Sequence, residues 1–328
     1  MAITYVPDAA RLVEVSVQQE TTYGTYKYDD MTQLAHNGVT WGRGHQQIEG
    51  QAAAGTTQHV ITYRAIRGID TPFVSLSVPF GFDNRAIVSE LIAGNTLGAV
   101  TANQWDINDY PNSYSISVNA QRSGSASCWN FAGCYMRTAS LNVTVGTEAE
   151  CRLDMAATSL VDPQSATAHP ADTPTVSAGP LVLRQVALKE DPTYASVDGT
   201  TAVKFRGCSI NWTRGLIVEH TSEGCEPTAI VPTTLDVTGE LQHNFSSDMW
   251  TVFQDLVAKE SDGGFTTTYL QLLFTQSSNE HRIVMPVRLD VAQFDGSALD
   301  GAIPATISFT AAGDDATPTH DVTEIKDT

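Results

Sequence analysis

The stretch DVTGELQHNFSSDMWTVFQDLV, residues 236–257, decides the fold because a strand pattern passes directly into a helix pattern. Its first six residues alternate apolar and polar side chains with the period of a half-buried strand. Ser246, Ser247 and Asp248 then supply residue types that cap helix N-termini. The residues expected on the buried face of that helix are Trp250, Phe253, Leu256 and Val257.

The same construction occurs earlier, in VSLSVPFGFDNRAIVSELI at residues 74–92. Here a strand pattern precedes a helix pattern, with Asp83 near the positive end of the helix dipole. The residues that share one face of this helix are Ile87, Val88, Leu91 and Ile92. After each helix pattern comes a strand that opens on tyrosine, at Tyr114 and Tyr269. This agreement predicts an internal duplication, with two coincidental strand meanders as the alternative.

Further alternating segments, bounded by Gly, Asn, Asp or Ser, predict strands. They are centred on Tyr114-Ile116-Val118, Leu141-Val143-Val145, Leu289-Val291 and Ile307-Phe309. The composition agrees, because Thr, Val, Ser and Gly are abundant and lysine is scarce. The predicted fold class is mainly β, built from duplicated β-sandwich or barrel units that each carry one flanking α-helix.

A proline-rich segment divides the chain. VDPQSATAHPADTPTVSAGP, residues 161–180, contains four prolines and shows no periodicity, which is typical of a linker. We therefore predict a first β unit at 1–160, a linker at 161–180 and a second β unit at 181–328. Each unit also has a long Gly- and Thr-rich excursion before its strand and helix, at residues 41–63 and 214–233. We expect these to be long loops that contact a partner.

Charge and cysteine content limit the function classes. The chain has 18 basic and 37 acidic residues, a formal net charge of -19, so affinity for nucleic acid through counterion release is not expected. The sequence lacks a basic and apolar leader pattern and any run of about 18 apolar residues, so neither a secretory leader nor a membrane span is expected. The cysteines, expected to be buried thiols rather than disulfides, are Cys128, Cys134, Cys151, Cys208 and Cys225.

No catalytic motif is present: GxSxG, GxxxxGK[ST], GxGxxG after a strand and HExxH are all missing. We therefore expect no enzyme activity, no catalytic residue, no cofactor and no bound metal. Zinc at Cys128 and Cys134, a metal at His45 and His59, and calcium at residues 294–301 are weaker alternatives. The N-x-S/T sequons, whose glycosylation the sequence leaves open, are Asn142, Asn211 and Asn244.

Several stretches resemble the two-copy tail tube proteins of long-tailed, siphovirus-like phages and tailed archaeal viruses. QQETTYGTY at 18–26 is similar to that family's opening motif, and FAGCYMRTASLNVTVGTEAECRLDM at 131–155 to its strand pair. FRGCSINWTRGLIVEH at 205–220 and the later LDVTGELQHNF resemble its second copy, and ATISFTAAGDDATPTHDVTEI its closing strands. The excursion WGRGHQQIEGQAAAG and the long linker depart from the family pattern.

The resemblance implies a structural virion protein in the viral tail, present in the host cytoplasm during assembly. Its subunits would close into rings, trimeric rather than hexameric, and the rings would stack into a tube that delivers viral DNA without binding it specifically. Expected partners are further copies of the chain and the tail terminator, tape measure and distal tail proteins. The many acidic residues would suit a virus of a halophilic host.

An alternative function is a non-enzymatic carbohydrate-binding or adhesive β-sandwich module. Such a module needs an exposed aromatic platform, and Trp41 and Trp129 are the tryptophans in polar sequence surroundings. The tail tube interpretation makes a separate prediction about charge. Because a basic bore would grip DNA, we expect the bore to be acidic or neutral.

Overall fold

The structure is a computed structural model of the 328-residue chain. It describes residues 13–27, 31–53, 60–81, 84–94, 104–106, 111–122, 125–165, 181–221, 224–244, 268–276, 279–294, 304–311 and 324–327.

The described residues are mainly β, as predicted. The strands are β1 Val13–Gln19, β2 Thr32–Leu34, β3 Gly38–Ala53, β4 Val60–Pro79, β5 Gln104–Asp106, β6 Tyr114–Arg122, β7 Ser125–Thr144, β8 Glu150–Ala156, β9 Ser159–Ser165, β10 Val186–Asp191, β11 Gly207–Glu219, β12 Ala229–Asn244, β13 Thr268–Gln276, β14 Asn279–Phe294, β15 Pro304–Ala311 and β16 Glu324–Asp327. The helices are α1 Arg85–Ala93 and α2 Tyr194–Val197, with a 3-10 turn at Leu183–Gln185.

The strands follow from period-2 patterning. In β11 the side chains of Cys208, Ile210 and Trp212 are buried, whereas the intervening Asn211 and Thr213 are exposed. Successive side chains of a strand point to opposite faces, so this alternation puts one face of the sheet into the core and the other into solvent. All four strand patterns predicted from the sequence are confirmed, although β7 ends at Thr144 and leaves Val145 in an exposed turn.

Strands of the two halves pair in the same order. In the first half the order is β1–β6–β7–β8–β4–β3, with β9 also paired to β7. In the second half it is β10–β13–β14–β15–β12–β11, with β16 also paired to β14. Every one of these pairs is antiparallel. The long strands β7 and β14 hold equivalent places, since each pairs with one group of strands over its first part and with another over its second.

The long hairpins of the two halves also agree in register. The β3–β4 ladder runs from Gly38 through eight pairs and then shifts between His45 and Gln47. The β11–β12 ladder runs from Gly207 through eight pairs and then shifts between Arg214 and Leu216. In both hairpins the shift skips one residue on the first strand and two on the second. Gly38 therefore corresponds to Gly207 in the pairing scheme.

The bent strands carry matching irregularities too. The pairing of β7 with β8 shifts at Arg137, and that of β14 with β15 shifts at Asp290. A bulge inserts one extra residue and increases the local bend of a strand. In both halves the shift lies three residues before a residue that is not buried, Ser140 in β7 and Gln293 in β14.

α1 confirms the first predicted helix. Val88, Leu91 and Ile92 are buried in the main hydrophobic core, and Ile87 packs against it. The Asn84 side chain donates hydrogen bonds of 3.1 Å to the carbonyls of Ala35 and Pro79, which fixes the start of the helix against the end of β4. Gly94 ends the helix in the left-handed conformation, as helix C-termini commonly require. Asp83 and the whole of the second predicted helix lie outside the described residues.

Two predictions need correction. The excursions at 41–63 and 214–233 are largely strand: β3 reaches Ala53, β4 begins at Val60, β11 reaches Glu219 and β12 begins at Ala229. Their many glycines hide the alternation that marks a strand in sequence, while backbone pairing between the two strands does not need it. The expected linker also starts later, because β9 includes Val161–Ser165 of it. The remaining linker residues, 166–180, lie outside the described residues.

Candidate assembly edges and polar sheet face

Within the 16-stranded sheet, eight strands pair one after another in the order β3–β4–β8–β7–β11–β12–β15–β14, and we call this series the eight-stranded sheet. Residues directly opposite each other across the ladders share a face of this sheet. One row across it contains Gly38, Ser77, Arg152, Ser140, Asn211, Thr238, Thr310 and Arg288. The next contains Thr40, Ser75, Asp154, Thr138, Thr213 and Asp236. We call this side of the sheet the polar face.

Ion pairs neutralise the arginines of the polar face. Its described charged residues are Arg137, Arg152, Arg288, Glu150, Asp154, Asp236, Glu240 and Asp290. Arg137 Nε donates to Asp154 Oδ2 at 2.9 Å, and Arg152 Nε lies 3.2 Å from Glu150 Oε1. The Ser77 hydroxyl also donates to Glu150 and lowers the pKa of that carboxyl. With five carboxylates against three guanidinium groups, the polar face is slightly acidic.

The two halves pair through the long ladder of β7 with β11, which we call the intrachain seam, and through the short ladder of β5 with β16. Its register runs from Thr138 opposite Thr213 to Thr144 opposite Gly207, without a shift. Ser140 and Asn211 lie opposite each other on the polar face. On the other face the seam residues Leu141 and Ile210 are both buried in the core. The seam therefore joins the halves by backbone hydrogen bonds and by one continuous core.

The strands that correspond to the seam strands form the outer edges of the eight-stranded sheet. By the shared pairing order, β3 corresponds to β11 and the second part of β14 corresponds to the second part of β7. Among the described residues β3 pairs with β4 alone, and beyond Val287 β14 pairs with β15 alone. Unpaired strand edges present rows of free backbone donors and acceptors to another chain.

Burial distinguishes β3 from its counterpart. In the intrachain seam Cys208 and Ile210 of β11 are buried, but the corresponding Val39 and Trp41 of β3 are only partly buried. A second strand beside β3 would cover them as β7 covers the β11 residues. The β3 edge therefore leaves apolar side chains partly exposed, as is typical of a strand that another strand can cover.

The outer part of the β11–β12 hairpin, residues 216–219 and 229–232, forms what we call the second arm. One side of it packs on the first half, where Ile230 is buried with Tyr135 and the Ile230 amide donates to the Tyr23 hydroxyl at 2.6 Å. On its other side Ile217 and Val231 lie directly opposite each other and are 55% and 43% exposed. In the pairing scheme Ile48 and Ile66 hold the equivalent opposed positions in β3–β4.

A buried carboxylate organises the segment with the sequence motif QQETTYGTY. Glu20 is 7% exposed and lies at the end of β1. Its Oε2 accepts from the Gly24 amide at 2.8 Å and from the Ser113 hydroxyl at 2.7 Å. Its Oε1 accepts from the Ser115 hydroxyl at 2.9 Å and from the Gly133 amide at 2.8 Å. Sequence reasoning identified the motif but not these partners.

The structure places Trp41 and Trp129 together rather than on a flat platform. Their ring centroids are 5.3 Å apart, the rings are inclined by 54°, and both side chains are partly buried against the core. A sugar-binding platform requires an exposed aromatic face, which this inclined pair does not offer. The sequence did not indicate that these two tryptophans contact each other, because β3 and β7 come close only in the folded chain.

Cys128, Cys134, Cys151 and Cys208 are buried and Cys225 is exposed, all as free thiols. Burial raises the pKa of Cys151 and Cys208 to about 12 and raises that of Cys134 well above its usual value. Nothing in the described part of the chain groups three metal-binding side chains, and within it no helix is long and apolar enough to cross a membrane.

The remaining sequence candidates are distributed as follows. Asn142 and Asn211 are exposed on the polar face. The structure does not describe residue His59, most of the calcium candidate 294–301, or the side chains of His45 and Asn244. The polar face itself was missed, although Thr138, Ser140 and Asn142 at every second position of β7 carry its signal.

Comparisons with known proteins add little. No protein-family model matches the sequence, and no curated protein matches it. A solved chain from "Virion of native gene transfer agent (GTA) particle" has a TM-score of 0.31 and 11% sequence identity to this chain. The similarity covers 44% of this chain and 97% of that one. A likeness at this level does not establish a shared fold or function.

Proposed function

We propose that this protein is a structural virion protein whose subunits close into rings and stack into a viral tail tube. The observation that carries the proposal is the intrachain seam together with its two unpaired counterparts. Inside one chain, the second part of β7 pairs with β11. The corresponding strands, the second part of β14 and β3, lie at opposite edges of the same sheet and lack such a partner in the described part of the chain.

This arrangement supports head-to-tail closure. The matching pairing orders and bulges support two copies of one β unit per chain, as the sequence pattern predicted. If the unit-to-unit relationship inside the chain is repeated between chains, the contact is heterologous, and a heterologous contact whose rotation closes generates a ring. Edge strands are then paired in the assembly, which removes the aggregation hazard that a long exposed edge creates.

The expected ring contains three chains. The family resemblance implies six β units around the bore, and a chain with two units supplies six from three subunits. The competing arrangement is a hexamer of chains in which one unit lines the bore and the other decorates the outside. The trimer is favoured because both units contribute four adjacent strands to the same continuous sheet.

The polar face is the candidate bore lining. It carries mainly Ser, Thr and Asn side chains, its arginines are paired with carboxylates, and its described charges sum to a small negative value. A phosphate backbone is held by unpaired cations that release counterions, and this surface offers DNA few of them. Such a lining is suited to passage of DNA without binding.

Stacking is assigned to the second arm and to its counterpart in the β3–β4 hairpin, residues 47–53 and 60–67. The second arm exposes Ile217 and Val231. An exposed apolar pair in the outer part of a hairpin can be buried against a neighbouring ring. Tail terminator, tape measure and distal tail proteins would then contact the ends and the interior of the tube. The protein would assemble in the host cytoplasm and remain in the virion tail, and the host would be halophilic.

Electron microscopy and native mass measurement of the purified full chain test the proposal. We expect rings with the mass of three chains and tubes built from stacked rings. A protein that remains monomeric at high concentration and at the salt concentration of a halophile's cytoplasm would contradict it. Rings of six chains would retain the tube function but reject the trimer.

A further inference from the structure

The intrachain seam provides a template for the contact between chains. Because the two units share pairing order and register, each residue of the seam has a counterpart at an outer edge of the sheet. Ser140 of β7 and Gln293 of β14 each lie three residues after the equivalent bulge, so they correspond. Ser140 lies opposite Arg152 in β8, and Gln293 lies opposite Thr306 in β15. Asn211, four pairs after Gly207, corresponds to Gly42, four pairs after Gly38.

The geometry points to one specific register between neighbouring copies of this chain. Gln293 of β14 in one copy lies directly opposite Gly42 of β3 in the next, as Ser140 lies opposite Asn211 inside each chain. The strands run antiparallel, so Val291 then lies opposite Gly44 and Phe294 lies opposite Trp41. This inference rests on the proposed ring and names the residues through which it closes.

The two edges are compatible with this pairing. Gln293 is exposed, and a Cβ added at Gly42 would meet the Phe73 ring at no less than 3.4 Å, an ordinary contact distance. The polar face would continue from one copy to the next, because Gln293 and Gly42 correspond to Ser140 and Asn211, which lie on the polar face. On the opposite side, Val39 and Trp41 would complete the burial that Cys208 and Ile210 already have.

Engineered disulfides test the register. Cysteines directly opposite on antiparallel strands bring their Cβ atoms to about 4.5–5.5 Å, close to what a disulfide needs, whereas an offset of two residues separates them by about 7–8 Å. The background is Cys225→Ser, which removes the exposed thiol. The test variant adds Gly42→Cys and Gln293→Cys. The offset control instead combines Gly44→Cys with Gln293→Cys.

The intrachain seam sets the oxidation conditions. Ser140→Cys with Asn211→Cys is the equivalent pair inside one chain and should form an intrachain disulfide under mild oxidant. Under the same conditions the Gly42 and Gln293 variant should give covalent dimers and trimers on a non-reducing gel, about tenfold more than the offset control. If the ring contains three chains, the largest cross-linked product on the gel contains three chains.

The outcomes separate the register from the function. Cross-linking of the test pair above the offset control supports the register. Rings seen by microscopy without this cross-link, or with the offset control reacting better, overturn the register and leave the tube function standing. If no variant and no unmodified protein assembles, the proposed function fails and the register fails with it.

Discussion

The Gly133 amide donates a 2.8 Å hydrogen bond to Oε1 of Glu20, 113 residues earlier in the chain. Gly133 has a φ of +62° and lies where β7 leaves β6 and turns towards β8. Glu20 therefore connects the end of β1 to the bend of the strand that supplies the intrachain seam. This single contact relates an N-terminal sequence motif to the geometry of the proposed assembly surface.

Replacing Glu20 by glutamine should destabilise the fold. The carboxylate accepts from four donors, and an amide would turn its NH2 group towards two of them. Unmet buried donors cost about 1–3 kcal/mol, so we expect a loss of that size in the free energy of unfolding from denaturant titration. Glu148→Gln, at an exposed side chain, is the control. Equal midpoints for the two variants would contradict the structural role of Glu20.

Replacing Gly133 by alanine should be more harmful than replacing Gly146. Both glycines have positive φ, so each alanine carries the left-handed backbone cost of about 1–2 kcal/mol. A Cβ at Gly133 would lie 2.0 Å from the Thr158 hydroxyl oxygen, whereas a Cβ at Gly146 meets nothing within 4 Å. The backbone cost is common to both variants, so the difference between their losses of unfolding free energy measures the cost of the steric clash at Gly133. A larger loss for Gly146→Ala would show that the bend in β7 is not tightly packed.

The fold was predictable where its signal is local. The alternation at Ile116 and Val118 and the helical spacing of Val88 and Leu91 appear within a few residues, and both elements were found. The sequence predicts loops at 41–63 and 214–233, which are largely strand, because glycines interrupt the alternation there. Three of the four donors to Glu20, namely Ser113, Ser115 and Gly133, come from two distant segments, so its sequence neighbours give no sign of them.

The proposed assembly edges were predictable only in part. The repeated sequence pattern suggested that matching edges exist, but it did not say which strands are paired inside the chain and which remain at the edge. Ser140 and Gln293 occupy equivalent positions in β7 and β14, yet one has a strand opposite it and the other does not among the described residues. That difference arises from how the two units dock, which no short sequence pattern encodes.

Thiol labelling should detect one cysteine in the native protein. Burial raises the pKa of Cys151 and Cys208 to about 12, so at about pH 8 both stay protonated and shielded from a reagent that attacks the thiolate. Cys225 is exposed. Mass spectrometry should find one label on each native chain and none on the native Cys225→Ser variant. The unmodified chain should carry five labels in denaturant. More than one label under native conditions would show that the core opens readily.

The exposed pair on the second arm should matter for stacking and not for folding. Replacing Ile217 and Val231 by serine removes apolar surface that is already in solvent, so the unfolding free energy should change by less than about 0.5 kcal/mol. Ring formation should persist while tubes shorten or disappear in electron micrographs. Val145→Ser, at a side chain that is 55% exposed outside the arm, is the matched control. Tubes of normal length from the double serine variant would reject the stacking role.

The charge of the polar face should decide whether assembled tubes bind DNA. Asp236 and Glu240 are exposed on β12 and lie four residues apart on that face. The double variant Asp236→Lys with Glu240→Lys therefore makes the net charge of the face more positive by four. Lysines that reach phosphates release counterions. The logarithm of the binding constant then falls with the logarithm of the salt concentration, with a slope of about -0.9 per phosphate contacted. We expect no DNA retention by unmodified tubes and salt-sensitive retention by the lysine variant. The control combines Glu148→Lys with Thr201→Lys and Ala202→Lys, which makes the same change in net charge at exposed side chains outside the polar face and the second arm. If the control binds DNA as strongly as the test variant, net charge alone explains binding and the polar face does not line the bore.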